Sequence, residues 1–362
     1  MPKACYIHIP FCSGKCKYCS FVSFNRPELI TGYVYSLLKE ITENYKGETL
    51  NTLYLGGGTP SLLSTELLSK LVKKFTFTSD SEITIEVNPD DCNFDYLKSL
   101  KEIGFNRLSI GSQTFDDELL KLIGRRHNSS QIIETVENAK KAGFKNISLD
   151  LIYGLPNQTL DGVKDDVAKF IELDIQHIST YGLKIEGGSY WGANNPDNVP
   201  DDDVQADMYE KVNVILTNAG FERYEVSNFA KKGFESRHNL TYWNNEEYYG
   251  FGASAHGYVD GIRYSNYCTL EEYMDNPLNY EYGRILNEQE KLEEEIFLGF
   301  RKTEGINIER IKEKFNVDFG SKYKKILEKY SDYIIKTPKG YAFNLKGTML
   351  SNEILPEFLS DN

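Results

Sequence analysis

The sequence predicts an α/β protein: a partial barrel of six strand–helix units, an extra α+β segment, and a small winged-helix-like C-terminal domain. Three observations lead there. In the first half, short β-branched or aromatic stretches alternate with amphipathic stretches of helical spacing. After residue 186 that alternation stops and an aromatic-rich stretch begins. From residue 287, helical periodicity returns and ends in a single hairpin. The expected divisions are therefore 1–186, 187–286 and 287–362.

The strands read from the first part are 5–9, 52–55, 82–87, 107–110, 147–151 and 178–183. The helices between them are 28–45, 61–77, 94–103, 129–142 and 160–173. Gly104 and Gly143 each follow a helical stretch, where a C-terminal glycine is favoured. Alternation of this kind implies a parallel sheet with right-handed crossovers. Six units fall short of the usual eight, so the barrel is expected to stay open on one side and admit a large substrate. Residues 187–200 read as loop and 203–219 as a helix. Residues 224–267 read as short strands and loops packed across the barrel opening. In the last part, helices near 289–301, 308–315 and 323–329 precede a hairpin at 333–336 and 341–343.

Bulk properties narrow the function. The 362 residues include 40% hydrophobic and 26% charged residues, ordinary for a globular chain. No apolar run approaches the ~20 residues that span a bilayer. The first residues lack the features of a signal peptide, so a cytoplasmic location is expected. Lys plus Arg number 41 against 54 Asp plus Glu, a net charge of −13, which disfavours phosphate-backbone binding. Residues 306–346 are locally basic, with ten Lys plus Arg against five Asp plus Glu. That keeps nucleic-acid modification as the last-ranked alternative.

Six cysteines are present, three of them within eight residues: Cys12-Ser-Gly-Lys-Cys16-Lys-Tyr18-Cys19. A tight cysteine cluster just after a strand reads as metal binding rather than a disulfide scaffold. Four thiolates would saturate a four-iron cluster; three leave one iron open to a small molecule. Lys15 and Lys17 would offset cluster charge. The alternative is a zinc knuckle completed by His8 or by a distant residue. Cys5, Cys92 and Cys268 are scattered and read as small buried residues rather than chemistry.

This C-x3-C-x2-C spacing, with Tyr18 before the last cysteine, resembles the radical-SAM superfamily signature. The preceding Tyr6-Ile-His-Ile-Pro-Phe-Cys12 resembles oxygen-independent coproporphyrinogen III oxidase and its close relatives, the radical-SAM heme chaperones. The resemblance covers nearly the whole chain. It implies a radical-SAM partial barrel, a [4Fe-4S] cluster on Cys12, Cys16 and Cys19, and S-adenosyl-L-methionine beside it. Tyr6 and Tyr18, within the signature, are included among the cofactor-binding candidates.

Active sites of βα barrels gather at the carboxyl ends of strands. After the second strand comes Gly56-Gly57-Gly58-Thr59-Pro60, a weak signal alone, since tight turns also use glycine. The resemblance implies that Gly57, Gly58 and Thr59 hold the methionine amino group. It implies that Glu86, at the end of the third strand, contacts the nucleoside. It implies that Gln113, Arg125 and Asp150 contact a second S-adenosylmethionine. From residue types alone, Arg125 could equally lie on a helix surface, and Asp150 could cap a helix.

The stretch His238-Asn-Leu-Thr-Tyr242-Trp243 resembles the heme chaperones' H-N-x-x-Y-W motif, which makes His238, Tyr242 and Trp243 heme candidates. A buried structural cluster fits the same residue types. His256 is a second candidate imidazole with the same two readings. Two residues past Cys19, where the oxidase has a further cysteine, stands Phe21; the oxidase's longer N-terminal region also has no counterpart. The resemblance therefore implies a heme chaperone delivering heme to a membrane-associated hemoprotein such as a respiratory enzyme. Coproporphyrinogen III decarboxylation is the alternative, and homodimerisation is allowed for.

Overall fold

A computed structural model describes residues 1–359; the last three residues of the expected 287–362 division lie outside the described residues. The six expected strands are present as β1 (Ala4–Ile9), β2 (Thr49–Gly57), β3 (Thr76–Val87), β4 (Arg107–Gln113), β5 (Asn146–Tyr153) and β6 (His177–Gly182). They pair in parallel in the order 6-5-4-3-2-1. Crossovers run through α1 (Ile30–Asn44), α2 (Thr65–Val72), α3 (Phe94–Ile103), α4 (Asp117–Ile123), α5 (Ser129–Lys141) and α6 (Leu160–Glu172).

Two local expectations need correction. The helix expected over 61–77 ends at Val72, because Thr76 and Phe77 pair with Thr49 and Leu50 and extend β3. Alternating Thr and Phe suit a pleated surface better than a helix. The second difference is α4, which was not foreseen. Asp116 caps its start, accepting from the amides of Glu118 and Leu119. Gly124 ends it at φ +83°, a left-handed conformation.

The segment after β6 contains α7 (Tyr190–Ala193), α8 (Asp202–Asn218), β7 (Glu222–Arg223), β8 (Asn228–Ala230), α9 (Arg237–Trp243), β9 (Tyr249–Phe251), β10 (His256–Val259), β11 (Ile262–Asn266), α10 (Leu270–Asp275) and β12 (Tyr280–Ile285). Its strands do not all lie across the barrel opening. β8 pairs antiparallel with β6 and carries β7 outside it, and β9 pairs parallel with β1, so the three lengthen the sheet at both edges to nine strands. β10, β11 and β12 form a separate antiparallel sheet. Met208, Val212, Phe229, Phe251 and Tyr273 share one core with the barrel residues. These residues from 187–286 thus pack into the barrel's own core.

A second core, including Ile296, Phe300, Ile311, Phe319 and Phe358, belongs to the C-terminal part. There α11 (Glu288–Arg301), β13 (Ile306–Asn307), α12 (Ile308–Phe315), α13 (Phe319–Lys322) and α14 (Lys324–Lys329) precede the hairpin β14 (Ile334–Thr337) and β15 (Gly340–Phe343). The helices and three-stranded antiparallel sheet follow the order of a winged helix. Among the described residues, no helix is long and apolar enough to cross a membrane.

A buried polar knot fastens α1 to the later segment. Glu40, 1% exposed, accepts from Tyr273 Oη at 2.5 Å, Asn266 Nδ2 at 2.7 Å and the Gly252 amide at 2.9 Å. Burial pushes its carboxyl up to about 7, against those three donors. Glu40→Leu would leave three buried donors unpaired and is expected to cost about 3 kcal/mol in denaturant unfolding. The folded state binds Glu40's proton more tightly than the unfolded chain does. Wild-type stability relative to Glu40→Gln should therefore fall as pH rises from 4.5 to about 7. A flat difference across that window would remove Glu40 as its source.

Candidate functional site: a cysteine loop at the barrel rim

The cysteine loop leaves β1 at the carboxyl rim. Two backbone bonds close its neck: the Cys12 amide donates to Phe24 O at 3.0 Å, and the Phe24 amide to Pro10 O at 2.8 Å. The Lys17 amide donates to Ile123 O at 3.0 Å, tying the loop to the end of α4. All three loop thiols are free and line one cavity of about 520 Å³. Among the described residues, no three His, Cys, Asp or Glu side chains stand close enough to hold a single metal ion. His8 is also committed elsewhere: Nδ1 meets Tyr6 Oη at 2.9 Å and Nε2 meets Val22 O at 3.1 Å. Burial pulls its imidazole down to about 4.

Each neighbouring strand end brings a side chain to the same cavity. Gly57 at the end of β2 has φ +110°, and a Cβ there would lie 2.5 Å from the His8 ring. Only glycine fits both constraints. Thr59 Oγ1 sits 3.4 Å from Cys12 Sγ and accepts from Asn88 Nδ2 at 3.1 Å. Glu86 accepts from Tyr54 Oη at 2.8 Å and from the Gly57 amide at 3.1 Å. Desolvation pushes its carboxyl up to about 7, with a lesser push from Asp150. Asp150 is raised to about 6, chiefly by desolvation, against Ser179 and the arginines. Gln113 lines the cavity with φ +69°, at the irregular end of β4.

Arg125 is a site residue rather than a surface one. Its Nη2 donates to Asn88 Oδ1 and Gly111 O, both at 2.5 Å, and its Nη1 lies 3.7 Å from Cys16 Sγ. It is thus a cation set against a loop thiol, a role the sequence had suggested only for Lys15 and Lys17. Cys19 is raised mainly by burial and then by the other thiols. Tyr18, Gly57, Gly58, Thr59, Glu86, Gln113, Arg125 and Asp150 all line this cavity. Tyr6 does not: it lines a second cavity of about 1150 Å³. Asn88 and Tyr54 were missed as site residues. Asn88 precedes Pro89 at a strand end, which was the available signal.

The three heme candidates separate. Tyr242 and Trp243 line the second cavity, whereas His238 lies behind them and is 1% exposed. Its Nδ1 meets Thr52 Oγ1 at 2.9 Å, its Nε2 meets Tyr242 Oη at 2.8 Å, and its ring stacks on Tyr54. Burial pulls it down to about 3. His256, at the start of β10, is exposed and lines the second cavity. Phe21, 67% exposed, lines both cavities.

Glu86→Gln tests the glycine loop. The side-chain amide has one acceptor oxygen for two donors, so either Tyr54 or the Gly57 amide would face an NH2 group. The expected cost is about 1–3 kcal/mol, with faster hydrogen exchange at residues 56–60. Unchanged stability and unchanged exchange would mean that the carboxylate does not hold this loop.

Comparison with known proteins finds two matching profiles. The radical SAM superfamily profile matches residues 6–170, and the HemN C-terminal domain profile matches residues 286–332. The chain is 40% identical to heme chaperone HemW of Lactococcus lactis, covering 100% of this chain and 98% of that protein. It is 38% identical to heme chaperone HemW of Bacillus subtilis over 99% of this chain and 100% of that one. The structure of coproporphyrinogen III oxidase (HemN) from Escherichia coli superposes with a TM-score of 0.86 and 24% identity, covering 99% of this chain and 90% of that chain. At that identity the match speaks for the fold. With identity of this level sustained from end to end, the chain belongs to the HemW family of radical SAM proteins.

Proposed function

We propose that this chain is a heme chaperone: it binds heme and passes it to hemoproteins, with the cysteine-loop site supporting that task. The observation that carries the reading is full-length similarity to proteins of that name, at 40% identity over 100% of the chain. Phe21 adds to it, because an exposed apolar ring stands where the resembled oxidase has a cysteine. Delivery to a membrane-associated hemoprotein, such as a respiratory enzyme, and a cytoplasmic location complete the proposal. The free state of all six cysteines suits a reducing compartment.

Membership of the radical SAM superfamily implies a [4Fe-4S] cluster and S-adenosylmethionine. When bound, they supply reductive cleavage of the sulfonium. In this reading Cys12, Cys16 and Cys19 hold the cluster. Gly57, Gly58 and Thr59 offer backbone and hydroxyl groups to the methionine moiety, and Glu86 to the nucleoside. Gln113, Arg125 and Asp150 line the same cavity, Arg125 beside Cys16. Arg125 offsets thiolate charge at Cys16. Tyr18 covers the loop and limits water.

The test is anaerobic reconstitution with iron and sulfide, followed by heme titration and a coproporphyrinogen III assay on the same sample. Saturable heme binding without decarboxylation is expected. Replacing Cys12, Cys16 and Cys19 together by Ala should abolish iron uptake. Decarboxylation that disappears in Cys16→Ala would instead make the chain an oxidase.

A further inference from the structure

Arg107 opens β4, and its long side chain is buried, 2% exposed. Ser109 and Gly111 share its face of the strand and line the cysteine-loop cavity. Arg107 therefore points into the barrel interior, two residues (roughly 7 Å) beneath that cavity. The register sets Ser109 beside Glu86 of β3, and Ser109 Oγ lies 3.5 Å from Asp150 Oδ1 of β5. Two cavity carboxyls thus stand one layer above a single cation.

A guanidinium keeps its charge in a protein interior, so burying one without a partner is costly. Buried charges are ordinarily paired. Arg107 is not: Nε is buried without a hydrogen-bond partner, and no carboxylate forms an ion pair with it among the described residues. The groups it acts on lie at longer range. Desolvation raises Glu86 and Asp150 and lowers His177 and His238; Arg107 counters it at the two carboxyls and adds to it at the two imidazoles. A fixed charge carries this far inside a barrel because little water screens it.

Glu86 is the group of this set with a ligand to meet. Its oxygens accept from Tyr54 Oη and the Gly57 amide. A carboxylate has lone pairs left for further donors, whereas a carboxylic acid has given one up to its proton. Tyr6 of β1, Tyr54 of β2, Asp150 of β5, Tyr181 of β6 and Tyr242 of α9 also bear on Glu86, and Arg107 is the cation that acts on it.

We propose that Arg107 is a positioning residue for S-adenosylmethionine: from beneath the cavity, its unpaired guanidinium is the fixed charge that keeps the Glu86 carboxylate open to the ribose hydroxyls. The inference rests on the reading of Glu86 as the nucleoside contact and deepens it.

The experiment measures S-adenosylmethionine binding to the full reconstituted chain by calorimetry between about pH 5.5 and 9. Infrared titration without the ligand follows the protonated carboxyl of Glu86, identified by its loss in Glu86→Gln. In the wild type, affinity should rise as Glu86 ionises around pH 7. Arg107→Met should move the affinity and infrared midpoints up by about one pH unit, weakening binding about fivefold at pH 7. Arg107→Lys should return both midpoints to the wild-type value, and it decides alone if Arg107→Met does not fold. Arg107→Met added to Glu86→Gln should change affinity little, since the group it acts on is gone. Unmoved midpoints in Arg107→Met, or displaced midpoints in Arg107→Lys, would overturn the role of Arg107. Wild-type affinity that ignores Glu86 ionisation, with the infrared midpoint still displaced in Arg107→Met, would overturn the nucleoside contact while leaving the hold of Arg107 on Glu86 intact.

Discussion

In the six inner strands every carboxyl end emerges on one rim, because parallel pairing with helical crossovers leaves no other arrangement. The register of β1 against β2 sets Ile9 opposite Gly57 and so brings the cysteine loop beside the glycine turn. β3 then delivers Glu86 and Asn88, β4 Gln113, and β5 Asp150. Residues separated by more than a hundred positions meet in one cavity for this reason. A slip of one residue in any pair would turn the inward side chain into the opposite face.

The charges at this rim are held by partners rather than by solvent. Glu86 uses both oxygens on Tyr54 and the Gly57 amide, which fixes the glycine turn as well as the carboxylate. Arg125 joins Asn88, Gly111 and Cys16, linking two strand ends and the cysteine loop through one guanidinium. Desolvation raises Glu86 and Asp150; Tyr54, the Gly57 amide and Arg107 oppose it at Glu86, and Ser179, Arg107 and Arg125 oppose it at Asp150. The result is a polar site set for charged groups, enclosed by the apolar outer layer of helices.

The second cavity has a different origin. Its walls come from α9, β10 and α11, elements that belong to no βα unit, together with Tyr6 and His8 of β1. Phe21 stands between it and the cysteine-loop cavity, so a single exposed ring borders both. The aromatic motif around His238 divides accordingly. Its histidine packs into the barrel interior, while Tyr242 and Trp243 face outward.

Periodicity, cap residues and the cysteine spacing determined the six strands, the helices between them, the loop after β1 and the winged-helix order of the last part. These are local signals: each is carried by neighbours within one or two turns of chain. The boundary of α2 against β3 escaped because Thr76 and Phe77 are decided by their pairing with β2. β8 and β9 escaped likewise, since three-residue strands have too little pattern to name a partner. Arg125 and His238 were open between surface, core and site. Tertiary structure decided them through partners 14 to 186 positions away, Gly111 for Arg125 and Thr52 for His238. Sequence spacing states which side chains share a face; only the packed sheet states what stands opposite, and hydrogen bonding and desolvation depend on that.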